Sequence, residues 1–305
     1  MITIPVQILC NDEEFERYIA DCLTSLRQQI GLGERFRFRV FIGLYPAATP
    51  ERVAAAADFG ASDFEVEVVP LDLNCGYGEK QNHLWERHVA GKVAGASAFL
   101  MMNPDMILLN DAVGRLYDAY ERHGGEAYIV EARQFPIENP PRAFDPETGE
   151  VDWCSGACIL TSIRFFESVG GFDEAIHLYC EDVDLSWRAW LAGGKLIYCF
   201  DAVVAHMTKG IFVGNYDRFS VTNHVYYTAL SHLILIYKYF SYNEELFEDK
   251  MGLFWRSEWI DEGTKQAALR EFEALKDRLE LQRADHPRIR LDDIGIFSDM
   301  RPYLF

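Results

Sequence analysis

The sequence predicts an α/β protein with a mostly parallel central sheet flanked by helices, followed by a mainly helical C-terminal region. Strand and helix signals alternate up to residue 206, a pattern typical of strand–helix–strand units in parallel sheets. The apolar fraction of 49% is enough for a buried core in a chain of 305 residues. After His206 the strand signals stop, and apolar residues recur at helical spacing.

The expected strands are short apolar or alternating runs bounded by polar or glycine-containing turns. A continuous apolar run opens the chain, and the run ending at Met102 is apolar enough to lie at the centre of a sheet. The predicted strands are 4–10, 37–44, 64–69, 97–102, 127–133, 157–161, 195–200 and 202–205.

The expected helices carry apolar residues three and four positions apart, and Asn11 and Asp12 are suited to capping the first of them. The stretch 134–152 is rich in Pro, Asn and acidic residues, which predicts a loop able to move over a site. The predicted helices are 13–29, 50–59, 78–94, 107–121, 163–169, one starting near 181, 219–240 and 264–282.

The chain is acidic, with a formal net charge of −19. Binding to a nucleic-acid backbone needs clustered Lys and Arg, so this charge argues against a nucleic-acid partner. It equally opposes attachment to an anionic lipid surface by charge alone. An acidic protein that binds an anionic nucleotide needs a local positive charge, for which a divalent cation is suited.

The seven cysteines indicate a reducing, cytoplasmic setting, because their number is odd and the chain is not small. Cys154 and Cys158 resemble half a zinc site, but no second pair lies at ligand spacing. Residues 1–10 form a short apolar run that lacks the basic region and cleavage site of a signal peptide, and we predict a first strand there. The longest apolar run, 225–240, is shorter than the ~20 residues of a membrane span and predicts a buried helix, with docking at the inner face of the membrane as the alternative.

Asn103-Pro104-Asp105 directly follows the predicted central strand. Ligands of open α/β sheets bind at the carboxyl ends of strands. Mg²⁺ and Mn²⁺ prefer hard oxygen ligands and keep several waters, so one or two carboxylates suffice to hold either ion. Asp105 is therefore a candidate metal ligand, although Asn-Pro-Asp is also a common turn.

A second motif is the loop Asn74-Cys75-Gly76-Tyr77-Gly78, with Asn82 on the helix that it opens. Glycines let a backbone approach a ligand closely, and a helix N-terminus attracts phosphate. Lys80 lies in the first turn of this helix. It is either a phosphate contact or a solvated surface charge, and the sequence leaves both open.

The third motif is Glu181-Asp182, which follows a Gly-Gly-Phe-Asp turn at 170–173. Acids are favoured at helix N-termini, which explains one or two of them at any helix start but not their spacing from this turn. His206 ends an apolar strand; a lone histidine is more often a packed or surface residue than a ligand.

Together these motifs resemble the catalytic domain of inverting family 2 glycosyltransferases, and the rhamnosyltransferase-like branch most closely. The resemblance covers residues 2–210, and its most specific part runs from the Gly-Gly-Phe-Asp turn through Glu-Asp-Val-Asp-Leu. It implies a GT-A fold, with a catalytic domain over 1–215 and a helical C-terminal region over 216–305.

The resemblance also implies site roles. Asp105 and His206 would bind Mg²⁺ or Mn²⁺, with Asn103 as a weaker polar contact. Asp182 would be the base that deprotonates the acceptor hydroxyl, with Glu181 as the alternative. The expected contacts to the nucleotide sugar are Asn11, Asn74, Gly76 and Asn82 for the nucleotide, Ser155 and Gly156 for room around the sugar, and Trp153 for stacking on its ring.

The implied donor is a dTDP-, UDP- or GDP-sugar, and the implied acceptor is a glycan or lipid-linked saccharide. One departure concerns base recognition, because family members commonly carry an Asp after the second strand and this chain has Gly43-Leu44-Tyr45-Pro46 there. Two alternatives are an inactive GT-A binding module and a sugar-phosphate nucleotidyltransferase; the latter needs a basic, glycine-rich loop after the first strand. The C-terminal helices are left open as an acceptor platform, a homodimer interface or a membrane dock.

Overall fold

The computed structural model describes residues 1–46, 48–136, 138, 143–207 and 221–291, without the side chains of 221–224. These residues form one eight-stranded sheet in the order β3-β2-β1-β4-β7-β6-β8-β5. The strands are β1 (Ile2–Asn11), β2 (Phe36–Tyr45), β3 (Phe64–Pro70), β4 (Ala98–Met102), β5 (Met106–Leu108), β6 (Ala127–Phe135), β7 (Cys158–Ser162) and β8 (Lys195–His206).

The sheet is mixed and mostly parallel, which confirms the predicted fold class. β1 pairs in parallel with β2 and β4, β2 with β3, and β6 with β8. β7 runs antiparallel to both β4 and β6, and β5 runs antiparallel to β8. The two strands predicted at 195–200 and 202–205 are one strand, β8, whose pairing with β6 contains register shifts.

The helices are α1 (Asp12–Arg27), α2 (Pro50–Ala57), α3 (Tyr77–Leu84), α4 (Ala112–Arg122), α5 (Ile163–Ser168), α6 (Glu181–Leu191), α7 (Val221–Phe240), α8 (Glu244–Arg256) and α9 (Glu262–Leu275). The helix predicted over 78–94 ends early, in a π-helical turn at Trp85–Val89. The helix predicted over 107–121 begins only at Ala112, because Met106–Leu108 pairs with β8 as a strand. Helix α8 was not predicted, and the helix predicted over 264–282 ends at Leu275.

Helices cover both faces of the sheet. Alternate residues of the central strands point to opposite sides, so Val6 and Leu100 pack with α1 and α4, while Phe99 and Met101 pack with the segments that carry Trp85 and Phe165. Burial of apolar side chains on both faces is expected for a largely parallel sheet.

The C-terminal helices pack against the α/β unit. Residues 229–236 of α7 are buried, as are Val183 and Trp187 of α6 in the same cluster. The run 225–240 therefore belongs to a buried helix, as predicted. The predicted domain boundary at residue 215 lies outside the described residues. Within the described part of the chain, no helix has both the length and the apolarity to cross a membrane.

Candidate functional site

The carboxyl ends of β1, β2 and β4 meet at one edge of the sheet. Asn11, the last residue of β1, lies opposite Tyr45, the last residue of β2. Asn103 and Asp105 follow the end of β4. Since ligands of open α/β sheets bind outside the carboxyl ends of strands, this edge is the candidate site.

Asn11 caps helix α1 at this edge. Its Oδ1 accepts a hydrogen bond from the Glu14 N–H at 2.9 Å, and its own N–H donates to the Glu14 carboxylate at 3.0 Å. This reciprocal capping box satisfies backbone donors that the helix itself cannot. Burial raises the pKa of Glu14 to about 7. The capping explains why Asn11 stands here, and its contact with a nucleotide stays a prediction.

Asp105 and His206 are brought together by the pairing of β5 with β8. Met106 lies directly opposite His206 in the antiparallel register, so the residue before Met106 meets the imidazole. His206 Nε2 is 3.1 Å from Asp105 Oδ2, and both residues are buried. The family resemblance implied that both residues bind one metal ion, and the structure brings them into contact.

The hydrogen bonds around His206 suit a cation at this pair. His206 Nδ1 lies 2.8 Å from Gln134 Oε1, which only accepts, so Nδ1 carries the proton. On a neutral ring, Nε2 then presents its lone pair to the Asp105 carboxylate. Two acceptors 3.1 Å apart are favourable when a proton or a metal ion is shared with them.

The donor set of this pair fits Mg²⁺ or Mn²⁺. An imidazole nitrogen and a carboxylate oxygen are both acceptable to these ions, Mn²⁺ in particular. No group of three His, Cys, Asp or Glu side chains able to hold a metal occurs among the residues that the structure describes. Asp105 and His206 would therefore leave coordination positions to water and to phosphate oxygens, as is usual for Mg²⁺ at nucleotide sites.

The Asn74–Gly78 loop packs against the segment that precedes Glu181. A Cβ at Gly76 would lie 2.6 Å from the His177 carbonyl oxygen, so only glycine fits there. The Tyr77 N–H donates to that same carbonyl at 2.8 Å. Gly76 is thus required for contact between two protein segments, while Asn74 is exposed on the loop. Nucleotide contacts by Asn74 and Gly76 stay predictions.

Asn82 holds the Gly-Gly-Phe-Asp turn. Its Oδ1 accepts from the Phe172 N–H at 2.8 Å, and its Nδ2 donates to the Phe172 carbonyl at 2.9 Å and to Glu174 at 3.1 Å. Gly171 has φ +78°, and a Cβ there would overlap Asn82 Oδ1. The structure therefore gives Asn82 a role in fixing this turn; its predicted nucleotide contact is untested.

Asp182 is fixed by two backbone donors. Its Oδ2 accepts from the Gly156 N–H at 2.9 Å, and its Oδ1 accepts from the Val183 N–H at 2.9 Å. The turn that contains Gly156 is also bonded to the segment that carries Asp105, because the Asn103 N–H donates to the Ala157 carbonyl at 2.9 Å. The segments that carry Asp105 and Asp182 are therefore connected by backbone hydrogen bonds.

Glu181 lies in a different environment from Asp182. It is buried, and its Oε2 has no hydrogen-bond partner among the described residues. Burial, followed by the charge of Asp182, raises the pKa of Glu181 to about 8. Asp182 is only partly buried, and its two carboxylate oxygens accept from backbone N–H groups. The two carboxyl groups thus differ in burial and in hydrogen bonding, and Glu181 is the one whose burial favours its protonated form.

Lys80 is 8% exposed, which excludes the solvated surface charge left open by the sequence. Its ammonium donates to the Cys75 carbonyl and lies 4.9 Å from the centre of the Tyr45 ring. No carboxylate of the described residues lies within ion-pair distance of it. A cation in the first turn of a helix also opposes the helix dipole, so burial of Lys80 here does not favour stability.

The remaining predicted residues, Ser155 and Trp153, lie close in sequence to Gly156, which binds Asp182. Ser155 precedes Gly156 in the turn, and its Oγ accepts from the Ala157 N–H at 3.4 Å. Trp153 is 5% exposed and packs in the cluster formed with α7. That burial leaves little of its ring for a sugar, and the expected stacking stays a prediction.

Sequence reasoning missed two residues that shape the site. Gln134 was predicted to lie in a loop, yet it lies in β6 and sets the His206 tautomer. The sequence feature that could have identified it is a polar residue at the end of an apolar strand. Lys238 was treated as part of an apolar helix, yet it binds the acidic residues around α6. A single lysine in a buried helix was the available signal.

Sequence relatives of known function are transferases. No protein-family model matches the chain. It is 29% identical over 183 residues to the N-acetylglucosaminyl-diphospho-decaprenol L-rhamnosyltransferase of Mycobacterium tuberculosis (strain CDC 1551 / Oshkosh), covering 46% of this chain and 58% of that one. It is 36% identical over 87 residues to the rhamnosyltransferase WbbL of Escherichia coli (strain K12), covering 28% and 33%. The matches thus span about a third to three fifths of these relatives.

Solved structures share the fold at low identity. The mannosyltransferase PcManGT from Pyrobaculum calidifontis, solved with GDP-Man and Mn²⁺, matches with a TM-score of 0.58 at 14% identity, over 89% of this chain and 75% of that one. Residues 1–349 of S. aureus TarS, solved with UDP, match with a TM-score of 0.52 at 14% identity, over 76% and 66%. These likenesses establish the fold, and together with the sequence relatives they confirm the resemblance inferred from the motifs.

Proposed function

We propose that this chain, which has the GT-A fold and is distantly related to rhamnosyltransferases, is an inverting glycosyltransferase. It would move a sugar from a nucleotide-diphosphate donor to a hydroxyl group of an acceptor. The observation that carries the proposal is the hydrogen bond from the Asn103 N–H to the Ala157 carbonyl. It joins the Asp105–His206 pair, suited to a metal ion, to the turn that holds Asp182.

Asp182 is the proposed base. An inverting transfer needs a carboxylate that takes the proton of the acceptor hydroxyl while the hydroxyl oxygen attacks the anomeric carbon from the face opposite the diphosphate. Two backbone N–H groups orient the Asp182 carboxylate. Glu181 is the alternative base, and its raised pKa makes it less suitable, because it holds its own proton at neutral pH.

Asp105 and His206 are the proposed ligands of Mg²⁺ or Mn²⁺. Such an ion, when bound, supplies positive charge that stabilises a departing diphosphate. Both structural neighbours named above were solved with nucleotides or nucleotide sugars, and the mannosyltransferase also with Mn²⁺. Gln134 fixes the His206 ring so that Nε2 faces Asp105, the arrangement that a shared cation requires.

Lys80 is a proposed second source of positive charge for the donor. It lies beside Tyr45 at the end of β2, where family members commonly carry an acidic residue that binds the nucleobase. An acidic site needs cations to bind an anionic nucleotide, and a buried ammonium without a carboxylate partner serves that purpose. The donor is a dTDP-, UDP- or GDP-sugar, with rhamnose favoured by the sequence relatives. The acceptor is a glycan or a lipid-linked saccharide, reached from the cytoplasmic side.

The proposal is tested by calorimetric titration of the purified chain with UDP, dTDP and GDP, each with Mn²⁺ and again with EDTA. We expect one nucleotide to bind in a metal-dependent manner, and Asp105→Ala to abolish that binding. Asp182→Asn is the matched control, since it should bind the nucleotide normally. If no nucleotide binds in the presence of Mn²⁺, these side chains do not form a donor site, and an inactive GT-A binding module explains the fold instead.

A further inference from the structure

Two acidic residues of helix α6 have different surroundings. Asp182, in the first turn of the helix, is partly exposed and accepts a hydrogen bond from the Gly156 N–H. Asp184, two residues later, is completely buried and accepts from Arg188 Nε at 2.8 Å, Lys238 Nζ at 2.6 Å and Tyr239 OH at 2.8 Å. Two of these three donors belong to the last turn of α7, more than fifty residues away in sequence.

Lys238 joins α6 to the Gly-Gly-Phe-Asp turn. Its ammonium, 2% exposed, also donates to Asp173 Oδ2 at 2.6 Å. Arg188 completes the connection through the Val169 and Gly171 carbonyls at 2.9 and 2.7 Å. Burial alone would raise the pKa of Asp184, but the charges of Arg188 and Lys238 overcome burial and lower it. Asp184 is therefore held as a carboxylate between these two buried cations.

Helix α7 also supports the backbone that leads into α6. Tyr179 and Cys180, directly before Glu181, both have φ +64°, a left-handed conformation that is unfavourable for residues with a Cβ. Ser231 Oγ of α7 donates to the Leu178 carbonyl at 3.0 Å. The Tyr227 ring stacks on the His177 ring, with centres 4.7 Å apart. Strained backbone of this kind persists only when its surroundings hold it in place.

From these contacts we propose that α7 is a part of the active site, in which Lys238, Tyr239 and Ser231 are positioning residues for Asp182. They hold the first turn of α6 and the segment before it, so that the Asp182 carboxylate keeps its hydrogen bond with the Gly156 N–H. This assigns a role in catalysis to the C-terminal helical region, and it rests on the proposed function.

A purely stabilising role is the competing explanation. Replacing a whole buried ion pair by apolar residues is often neutral for stability, whereas removing only the lysine leaves a buried carboxylate with less compensation and destabilises the fold. The chain contains a matched control for this point. Lys265 of α9 is 5% exposed and donates to the Trp255 and Ser257 carbonyls at 2.8 and 2.6 Å, all within the C-terminal helices.

The experiment compares Lys238→Met, Lys238→Arg and Lys265→Met in the full chain. Amide hydrogen exchange of residues 176–186 reports the position of α6. Release of nucleoside diphosphate from UDP-, GDP- and dTDP-sugars, with water as the acceptor of the sugar, reports turnover, and titration with the free nucleotide and Mn²⁺ reports donor binding.

For Lys238→Met we expect faster exchange confined to 176–186 and a kcat lower by on the order of 100-fold, the effect of moving a catalytic group by about 1 Å. Nucleotide affinity should stay within about twofold, since the Lys238 ammonium binds Asp173 and Asp184 and not the predicted metal ligands Asp105 and His206. Lys238→Arg should recover part of the turnover. Lys265→Met should lower thermal stability without changing exchange at 176–186.

The proposal is overturned if Lys238→Met leaves exchange at 176–186 and turnover unchanged, or if its exchange pattern matches that of Lys265→Met. Failure of the proposed function would look different. In that case the wild-type chain would release no diphosphate and bind no nucleotide, while the exchange comparison would still decide whether α7 positions α6.

Discussion

Gly171 provides a sharp test of how the Gly-Gly-Phe-Asp turn is held. Two neighbouring glycines, Gly170 and Gly171, have φ of +72° and +78°, so alanine at either position meets the same backbone strain. They differ in surroundings. A Cβ at Gly170 would meet nothing within 4 Å, whereas a Cβ at Gly171 would overlap Asn82 Oδ1. The difference between the two alanine variants therefore comes mainly from the Asn82 contact, with a smaller part from the Phe166 ring 3.3 Å from the Gly171 Cβ.

The magnitudes follow from the contacts. A left-handed alanine costs about 1–2 kcal/mol, which is the whole effect expected for Gly170→Ala. Gly171→Ala also displaces Asn82 from the Phe172 N–H and carbonyl, and two hydrogen bonds contribute about 1 kcal/mol each. We expect Gly171→Ala to lower the free energy of unfolding by about 3–4 kcal/mol, about 2 kcal/mol more than Gly170→Ala.

Urea denaturation of both variants, each also made in an Asn82→Ala background, measures the difference. Once Asn82 is absent, most of the difference between the two glycine substitutions should vanish, because only backbone strain and the close approach of the Gly171 Cβ to Phe166, at 3.3 Å, remain. Equal losses for Gly170→Ala and Gly171→Ala in the wild-type background would refute the role given to Asn82.

Two other predictions concern charge at the site. Folding raises the pKa of Glu181 from its ordinary 4.5 to about 8, so the stabilisation from its protonated form is complete below pH 4.5 and is lost as the pH rises through 8. Glu181→Gln should therefore flatten the decline in melting temperature between pH 5 and pH 9. An unchanged slope would contradict the burial of that carboxyl group. Lys80→Met should weaken nucleotide binding by about tenfold or more, the effect of losing a hydrogen bond to a charged group. Lys92→Met, at an exposed lysine, should leave the affinity measured by calorimetry unchanged, and equal affinities for all three proteins would exclude Lys80 from the donor site.

The sheet and the edge that carries the candidate site were largely predictable from local sequence. Apolar runs followed by turns fixed β1, β2 and β4, and polar residues at their ends marked the edge where Asn11 and Asp105 lie. The proximity of Asp105 and His206 followed only from the family resemblance and not from local pattern, because their contact depends on a three-residue strand, Met106–Leu108, whose apolar run also suits a helix. Only pairing with β8 selects the strand.

Long-range contacts account for the other differences. Asp184 looked equivalent to Glu181 and Asp182 in sequence, since all three lie in the first turn of α6. Its separate role depends on Lys238 and Tyr239, whose place beside α6 is set by packing of α7 and not by any local pattern. Likewise Gly76 suggested a ligand loop, while the atom that excludes a side chain there belongs to His177.

The central claim is that Asp182 deprotonates an acceptor at a metal-dependent donor site. The most direct measurement is nucleoside diphosphate release from UDP-, GDP- and dTDP-sugars in the presence of Mn²⁺, for the wild-type chain, Asp182→Asn and Asp105→Ala. The account predicts turnover of one donor by the wild type, none by Asp182→Asn although it binds the nucleotide, and neither binding nor turnover by Asp105→Ala. Turnover by Asp182→Asn at the wild-type rate would contradict the account.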